Sequence, residues 1–229
     1  NNLIYLLLKK NELMVQNISH AVMAQRQKSF DKLDDFPTPP WATRGLLKYV
    51  IGKYKLKNQT CLEPACNVGY MSKVLFENFK SVTSSDIFDY GYGNVEDFLE
   101  INKDQTRYDW VITNPPFNKA KEFIEKSLLI SDVGIAILAR TTFLESVNRY
   151  QSLFKNNPPT YFAQFVERVP MVKGRLDKKA STATGYAWFV WIKNCEEKSK
   201  LLWIPPCRKL LEREEDYDNP LSVKRKIKK

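Results

Sequence analysis

The segment Asn114-Pro115-Pro116-Phe117 directly follows residues 110–113, an apolar run whose composition predicts a buried strand. Consecutive prolines form a stiff, extended turn without backbone N–H donors, so this turn presents carbonyl oxygens to a ligand. The side chain of Asn114 adds an amide oxygen, and two such acceptors suit an exocyclic amine. Phe117 supplies a flat apolar face on which a planar base or amide can stack. The pattern predicts a binding site at the carboxyl end of a strand, with an ordinary proline turn as the alternative.

Residues 62–70 lie between another short apolar run and a helical pattern, which is where α/β proteins place nucleotide-binding loops. Ala65 and Gly69 allow the backbone to approach a ligand closely, and Glu63 offers a carboxylate to a cation or to hydroxyl groups. Asn67 stands at a glycine position of the dinucleotide-binding pattern, and Asn is the non-glycine residue that best tolerates left-handed backbone. The segment predicts a cofactor loop, with a plain strand-to-helix connection as the alternative.

Two acidic residues extend this predicted cofactor site. Asp86 follows the second strand pattern and precedes Ile87, and a carboxylate there can accept hydrogen bonds from ribose hydroxyls. Asp97 precedes Phe98, and a carboxylate beside an aromatic ring suits an adenine with its amino group. Each acid has a simpler interpretation as a helix cap, and Asp89 competes with Asp86 for the ribose role.

An aromatic and proline-rich bend precedes the first predicted helix. Phe36 and Trp41 flank Pro37 and Thr38 in this bend, and a stiff bend of this kind can close over a bound ligand. The alternative is a proline-capped helix start with Trp41 in the core.

From residue 60 onward, short apolar or β-branched runs alternate with helical patterns. Such alternation is typical of β-α units and predicts an α/β fold with a mostly parallel sheet. Residues 161–166 and 186–192 resemble two strands without a helix between them, so we expect the sheet to end in an antiparallel pair. Residues 31–229 are expected to form a single domain with a basic carboxyl-terminal tail, and residues 1–30 an N-terminal extension. A signal peptide is the weaker alternative for the extension.

Composition excludes several classes of protein. With 229 residues, of which 43% are hydrophobic, the chain can bury one sizeable core, but no apolar run approaches the ~20 residues of a membrane-spanning helix. We therefore expect no membrane association. The four cysteines contain no C-x-x-C pair and His20 is the single histidine, so we expect neither a metal site nor catalysis by imidazole. This cysteine usage is typical of a reducing, cytoplasmic compartment.

The charge balance indicates a polyanionic partner. The chain carries 36 Lys and Arg against 26 Asp and Glu, a net charge of +10. Residues 163–229 hold +7 of this excess, with 16 basic and 9 acidic residues. Four basic residues in the predicted loop between the last two strands are candidates for contacts with nucleic-acid phosphates, and a solvated, mobile loop is the alternative. They are Lys173, Arg175, Lys178 and Lys179.

Taken in order, these motifs resemble those of the S-adenosylmethionine-dependent amino-methyltransferases, and most closely those of the phage and bacterial DNA adenine-N6 methyltransferases. The similarity extends from about residue 36 to about residue 192. The resemblance implies a Rossmann-like class I methyltransferase fold, with a mostly parallel seven-stranded sheet, a terminal antiparallel hairpin and helices on both faces. It also implies S-adenosyl-L-methionine as cofactor, S-adenosyl-L-homocysteine as product and a cytoplasmic location in a bacterial or phage-infected cell.

The same resemblance assigns roles to individual residues. Asn114, Pro115, Pro116 and Phe117 match the catalytic motif of the family. Asn67 departs from the family pattern, because many members have glycine at that position. The positions that match the cofactor site are Phe36, Pro37, Thr38, Trp41, Glu63, Pro64, Ala65, Asn67, Gly69, Tyr70, Asp86, Ile87, Asp97, Phe98 and Asn114.

The activity that the resemblance implies is methylation of the adenine amine in DNA, with no metal and an oligomeric state that the sequence does not determine. Hydrogen bonds from the amine to Asn114 and Pro115 would favour a pyramidal nitrogen, whose lone pair can attack a methyl group. A paired base would first have to flip out of the duplex, and single-stranded substrate would avoid that cost.

Three alternatives remain open. They are RNA adenine methylation, protein glutamine methylation, which also uses an Asn-Pro-Pro signature, and a catalytically silent nucleic-acid-binding scaffold of the same fold. Cytosine-N4 methylation is less favoured, because relatives with that activity commonly carry Ser or Thr at the position of Asn114.

Overall fold

The computed structural model describes residues 34–218. The expected extension of residues 1–30, His20 and the basic tail of residues 224–229 lie outside the described residues. Within residues 34–218, no helix combines the length and the apolar character needed to cross a bilayer. Over the same range, no cluster of three or more His, Cys, Asp or Glu side chains is arranged to hold a metal ion.

The strands of the described chain form one eight-stranded sheet. Their order across the sheet is β3-β2-β1-β4-β5-β7-β6-β8. The strands are β1 (Thr60–Glu63), β2 (Ser81–Asp86), β3 (Asn94–Val95), β4 (Tyr108–Thr113), β5 (Ser131–Arg140), β6 (Tyr161–Phe165), β7 (Tyr186–Ile192) and β8 (Lys200–Ile204).

Strand directions confirm the mostly parallel α/β sheet. The pairs among β1 to β5 are parallel, whereas β7 is antiparallel to both of its neighbours, β5 and β6. The expected antiparallel pair is therefore present, but it does not end the sheet, because β8 pairs with β6 in parallel and forms the edge. The expected count of seven strands is corrected to eight. Periodicity could not reveal β3, which is two residues long.

The described chain also contains five helices and several single turns. The helix α1 begins at Pro40, earlier than the apolar spacing from Thr43 suggests, because the fixed φ of proline suits a first helical turn. The apolar spacing over residues 143–154 predicts a single helix, but the structure has a 3₁₀ turn, one short helix and a π turn there. The helices are α1 (Pro40–Tyr49), α2 (Tyr70–Phe76), α3 (Ala120–Ile130), α4 (Val147–Arg149) and α5 (Arg208–Leu211).

The sheet separates two hydrophobic layers, because alternate residues of a strand point to opposite faces. In β4, Trp110 and Ile112 belong to one buried cluster and Val111 to the other. Buried residues of α1 and α2 pack into the first cluster, and those of α3 pack into the second. The expected helices on both faces are thus confirmed, and the carboxyl ends of the parallel strands are left free to build a site.

A buried ion pair attaches the carboxyl-terminal segment to α1. Both terminal nitrogens of Arg44 donate to the carboxylate of Asp216, over 2.7 and 2.8 Å. Arg44 also donates to the carbonyl of Leu211 over 2.8 Å. The side chains of Arg44 and Asp216 are 8% and 1% exposed, so this pair depends on correct packing of residues that are 172 positions apart.

Candidate active site

The predicted catalytic and cofactor segments meet at the carboxyl edge of the sheet. Glu63, Asp86 and Arg140 are the last residues of β1, β2 and β5, and Asn114 directly follows β4. Parallel strands bring their carboxyl ends to the same edge, so residues far apart in sequence become neighbours there. Because β7 is antiparallel, its first residue, Tyr186, pairs with Arg140 at this edge as well.

Asn114 is half-buried and uses only part of its hydrogen-bonding capacity. Its Nδ2 atom donates to the backbone carbonyl of Phe36 over 2.9 Å. Its Oδ1 atom is buried and accepts no hydrogen bond within the described chain. The amide is therefore held by its donor end and leaves its acceptor end for a ligand.

The two prolines of the motif have different surroundings. Pro115 is buried, and the carbonyl of Pro116 accepts the N–H of Lys119 over 2.9 Å, which commits Pro116 to the start of α3. Of the two proline carbonyls, that of Pro116 thus already accepts a hydrogen bond within the fold. This difference is consistent with the Pro115 carbonyl as the predicted second acceptor beside Asn114.

Phe117 lies in an aromatic cluster at the same edge. Its ring centroid is 5.3 Å from that of Phe36 and 6.4 Å from that of Tyr186. The guanidinium carbon of Arg140 lies 4.1 Å from the Phe117 centroid, which is a cation–π contact. The ring is half-buried, so part of its surface is accessible to a planar ligand.

The segment of residues 34–36 links three parts of the site. Asp34 accepts the N–H of Phe117 over 2.9 Å, and Asp35 accepts the side-chain amide of Asn67 over 2.6 Å. The carbonyl of Asp35 accepts the N–H of Gly174 over 2.8 Å. Together with the bond from Asn114 to Phe36, these contacts join the Asn-Pro-Pro-Phe turn, the predicted cofactor loop and the basic loop between β6 and β7.

The predicted cofactor loop has left-handed backbone at two positions. Asn67 has a φ of 50° and Gly69 a φ of 94°. The Asn67 side-chain oxygen accepts the N–H of Val68 over 2.7 Å, which is the local hydrogen bonding that makes Asn tolerate this geometry. The backbone N–H of Asn67 donates to Asp86 over 2.9 Å, so the loop is held against the end of β2.

The ring of Tyr92 occupies the space above Gly69. A Cβ atom at Gly69 would lie 2.4 Å from the Cζ atom of Tyr92, so any larger residue there would require the Tyr92 ring to move. Burial and the nearby Glu63 carboxyl raise the pKa of Tyr92 to about 12. The close approach that was predicted for a ligand at Gly69 is thus made by Tyr92 of the same chain.

Glu63 lies at the buried inner end of the loop. It is 2% exposed and accepts a hydrogen bond from the Ser72 hydroxyl, which is itself 2.6 Å from the hydroxyl of Ser84. Burial raises the pKa of Glu63 to about 8, against a weaker opposite effect of the Ser72 hydrogen bond. The carboxyl is therefore largely protonated at neutral pH. Its neighbours Pro64 and Ala65 are buried and half-buried, and Tyr70 begins α2 as a buried residue.

Asp86 and Ile87 form the end of β2. The Asp86 carboxylate accepts the N–H groups of Asn67 and Phe88, over 2.9 and 3.1 Å. Burial raises the pKa of Asp86, while these backbone donors oppose the shift. Ile87 is 61% exposed and offers apolar surface beside the carboxylate. Asp89, the competing acid, is exposed and accepts the N–H of Gly91.

Asp97 and Phe98 have structural roles in the described fold. The Asp97 carboxylate caps a 3₁₀ turn by accepting the N–H of Leu99 over 2.9 Å, as its simpler interpretation expected. Phe98 is 1% exposed, and its ring centroid is 4.8 Å from that of Phe123 in the core. Direct contact of either residue with a cofactor stays a prediction.

The proline-rich bend contributes some residues to the candidate site and others to the hydrophobic core. Phe36 contacts Phe117 and Asn114 as described, whereas Pro37 and Thr38 are buried, and the Thr38 hydroxyl has no hydrogen-bond partner within residues 34–218. Trp41 is 1% exposed and packs edge-on against Phe165 at 5.7 Å. Trp41 is thus a core residue, which was the simpler interpretation of this bend.

The predicted nucleic-acid-binding residues are exposed on the loop between β6 and β7, at the same edge as Asn114. Arg175 lies 3.4 Å from Asp177, and Lys178 forms a 2.6 Å ion pair with Glu214. Lys173 and Lys179 are exposed on the same loop. Arg175 and Lys178 thus already have acidic neighbours, which partly compensate their charges.

Five residues of the site were not predicted from the sequence. They are Tyr92, Tyr186, Arg140, Asp34 and Asp35. Tyr92 and Tyr186 were visible only as aromatic residues in a polar turn and at a strand start. The sequence does indicate the position of Arg140, because this basic residue directly follows the apolar run of 134–139 and hence lies at the carboxyl end of a strand.

One curated relative is similar over part of the chain. The Type II methyltransferase M.AccI of Acinetobacter calcoaceticus is 26% identical over 134 residues, which is 52% of this chain and 24% of that protein. The chain therefore spans about a quarter of the length of this relative. No protein-family model matches the chain.

Solved structures resemble the described fold at low sequence identity. The type I restriction-modification system methyltransferase subunit of Streptococcus thermophilus has a TM-score of 0.53 and 11% identity, covering 86% of this chain and 54% of that chain. A provisionally named RNA methyltransferase of Pyrococcus horikoshii has a TM-score of 0.53 and 19% identity, covering 73% of this chain and 93% of that chain. Together with the strand order, these similarities show that the chain has the Rossmann-like fold of the class I methyltransferases.

Proposed function

We propose that this chain is a DNA adenine-N6 methyltransferase that uses S-adenosyl-L-methionine. One observation carries the proposal: the Oδ1 atom of Asn114 is a buried acceptor without a partner in the described chain, directly after β4. Leaving such an atom unsatisfied costs about 1–3 kcal/mol, which a ligand that donates a hydrogen bond to it would recover. The similarity to M.AccI and the class I fold support methyl transfer as the class of reaction.

The adenine amine is a poor nucleophile because its lone pair is delocalised into the ring. In the proposed complex, the amine donates to Oδ1 of Asn114 and to the carbonyl of Pro115. Two acceptors on one amine favour a pyramidal nitrogen, and the lone pair then becomes available for attack. The hydrogen bond from Asn114 to Phe36 supports this arrangement, because it keeps the amide from turning its donor end toward the base.

Residues of the carboxyl edge are the proposed contacts of the cofactor. Asp86 and Asp97 are the proposed acceptors for ribose hydroxyls and for the adenine amine of the cofactor, because a carboxylate that accepts one or two backbone N–H groups retains further lone pairs. The exposed side chain of Ile87 provides apolar contact beside Asp86. When bound, S-adenosyl-L-methionine supplies a methyl group that its positively charged sulfur already activates.

The remaining cofactor-site residues of the proposal have supporting roles. Asn67 and Gly69 shape the loop, and protonated Glu63 can donate a hydrogen bond as well as accept one. The carbonyl of Phe36 accepts a hydrogen bond from the Asn114 amide, and Thr38, two residues further along the chain, has a buried hydroxyl without a partner within residues 34–218. Further members of the proposed set are Pro37, Trp41, Pro64, Ala65, Tyr70, Phe98 and Asn114.

Phe117 is the proposed stacking platform for the target base. A base in a duplex hides its amine, so flipping it out costs a few kcal/mol, which stacking on an aromatic ring helps to offset. The half-buried ring beside Pro115 supports this role. The exposed Lys173, Arg175, Lys178 and Lys179 on the same edge support a nucleic-acid polymer as substrate and are its proposed phosphate contacts.

The test is transfer of labelled methyl groups from S-adenosyl-L-methionine to matched pools of single-stranded DNA, duplex DNA, RNA and protein. Nuclease digestion and mass analysis identify the modified nucleoside. We expect label in N6-methyladenine of DNA and none with the Asn114→Ala variant. Label in RNA or in protein glutamine would reject DNA as the substrate, and cofactor binding without transfer to any pool would favour the silent scaffold.

A further inference from the structure

A cavity of about 150 Å³ lies beside Phe117 at the carboxyl end of β5, and its two arginines have no role in the function proposed above. Its apolar lining includes Phe117, Phe143 and Pro115. Its two charged lining residues are Arg140 and Arg149, and no carboxylate lines it. Two cations without an acid beside the stacking ring indicate that the natural ligand of this cavity is an anion.

Arg140 is held by its contact with Phe117. Its guanidinium carbon lies 4.1 Å from the ring centroid, so the planar group rests against the ring. Its Nε atom is buried and has no hydrogen-bond partner within the described residues. A buried charged donor that lacks an acceptor carries a desolvation cost, which an anionic ligand would remove.

Arg149 is oriented by neighbouring carbonyls. Its Nε atom donates to the carbonyl of Phe143 over 2.7 Å, and one terminal nitrogen lies 3.5 Å from the carbonyl of Thr142. Its guanidinium carbon is 4.7 Å from the Phe143 centroid. Both arginines thus rest against aromatic rings, and neither has a carboxylate partner among residues 34–218.

We propose that this cavity binds the backbone phosphodiester adjacent to the target nucleotide, with Arg140 as the main contact and Arg149 as the second. The inference rests on the proposed function, because it requires a nucleic-acid substrate. Guanidinium groups pair with phosphate oxygens in a planar, two-bonded geometry, which Arg140 can offer through its Nε edge. A neutral base edge in the cavity would leave the positive charges of both arginines without a counter-charge.

The proposal links backbone binding to base positioning. Arg140 touches Phe117, so a phosphate that fixes Arg140 also restricts the ring on which the base stacks. The contact explains how an enzyme could favour a polynucleotide over a free nucleoside at the catalytic site itself. The exposed basic loop of Lys173 to Lys179 would add attraction at a greater distance.

A chemical double-mutant cycle tests the contact. Oligonucleotides with one adenine carry a single neutral methylphosphonate at successive positions around that adenine, and binding is measured by fluorescence anisotropy. For the wild type, we expect one position to weaken binding about tenfold, as for a charge-assisted hydrogen bond. For Arg140→Gln, natural oligonucleotide should bind about tenfold more weakly, and the methylphosphonate at that one position should have no further effect.

Arg107→Gln is the matched control. Arg107 is 52% exposed, pairs with Asp132 near the opposite, amino-terminal edge of the sheet, and should retain the full methylphosphonate effect. Arg140→Lys keeps the charge without the planar fork and should bind at an intermediate strength. If Arg140→Gln loses folded structure, Arg149→Gln is used in the same cycle.

The outcomes separate this inference from the proposed function. The phosphate contact would be overturned if the loss of affinity from Arg140→Gln and that from a methylphosphonate were additive at every position. The proposed methyl transfer to DNA would not be affected by that result. A wild-type protein that neither binds nor methylates DNA or RNA would overturn both proposals. Loss of the methylphosphonate effect in the Arg107→Gln control as well would show that the effect does not come from the cavity.

Discussion

The Nδ2 atom of Asn114 donates a 2.9 Å hydrogen bond to the backbone carbonyl of Phe36, across 78 positions of sequence. The bond gives the amide one orientation, in which the buried Oδ1 atom is left to accept from a ligand. A strand end and a proline-rich bend together decide which end of one side chain faces the candidate site. This relationship makes the two ends of the amide separately testable.

Substitution of Asn114 by alanine should abolish catalysis and spare cofactor binding. Loss of one positioned polar group at the reacting atom is expected to lower kcat about 100-fold or more. Asn114→Asp should also fail, because a carboxylate cannot donate to the Phe36 carbonyl and would face it with like partial charge. Single-turnover methyl transfer and calorimetric titration with the cofactor measure the two effects separately.

The control for Asn114 is the exposed Asn102, whose side chain caps the N–H of Asp104 in a turn before β4. Asn102→Ala should leave transfer within about twofold of the wild type. A wild-type rate in Asn114→Ala would show that the assigned catalytic role is wrong.

Stability should depend on pH through Glu63. Burial raises the pKa of this carboxyl to about 8 from its ordinary value of 4.5, so the folded protein binds the proton more tightly than the unfolded chain. The stabilising contribution is therefore complete below pH 4.5, declines as pH rises from 4.5 to 8, and is lost above pH 8. The decline should reach about 1 kcal/mol per pH unit.

Glu63→Gln keeps the shape and removes the titration. We expect the free energy of unfolding of this variant, relative to that of the wild type, to increase steadily between pH 5 and pH 8 and to stay constant above pH 8. Urea unfolding at a series of pH values measures this difference. A constant difference over that range would show that Glu63 is ionised in the folded protein.

Gly69→Ala should destabilise the cofactor loop by about 1–3 kcal/mol, because it combines an unfavourable φ of 94° with a contact to Tyr92. Gly174 offers a matched comparison, since its φ is 75° but the nearest atom to an added Cβ is a side-chain oxygen at 3.8 Å. Gly174→Ala therefore reports the backbone strain alone. Thermal unfolding should rank Gly69→Ala well below Gly174→Ala, and equal losses would exclude the steric contribution of Tyr92.

Asp97→Ala should weaken cofactor binding about tenfold, as expected for one hydrogen bond to a charged group, while kcat at saturating cofactor stays within about twofold. It should also lower stability, because the N–H of Leu99 loses its cap. Asp97→Asn keeps an acceptor for that N–H and separates the two effects. Calorimetric titration measures affinity, with the exposed Asp104→Ala as control, and unchanged affinity in Asp97→Ala would remove this residue from the cofactor site.

Asp216→Asn should cost about 3–5 kcal/mol of unfolding free energy, because it removes the closest and most buried charged partner of the Arg44 guanidinium. Glu77 is a more distant and more exposed neighbour of Arg44, at 4.0 Å, and Glu77→Gln should cost less than about 1 kcal/mol. Urea unfolding measures both variants. Similar losses in the two would mean that the buried pair is not a special anchor of the carboxyl-terminal segment.

Much of the fold could be predicted from the order of the motifs along the chain. Alternation of apolar runs and helical patterns predicted parallel strands with helices on both faces, because a strand and a helix bury their apolar residues with different periods. The positions of Glu63, Asp86 and Asn114 at strand ends followed from the same pattern, since parallel strands must end at one edge. The two-residue strand β3 and the helix breaks near Ser146 could not be predicted in this way, because so few residues do not establish a period.

The sequence by itself determined which chemical groups are available at the sheet edge, through residue type and distance from the strand ends. Tertiary structure alone decided how those groups are used. Asn114 has an open acceptor because Phe36 takes its donor, Gly69 is covered because Tyr92 folds over it, and Arg140 rests on Phe117 because β5 ends beside β4. Each of these contacts joins residues separated by many positions, and no local pattern specifies distance in space. Pairings of that kind arise only when the whole sheet has formed.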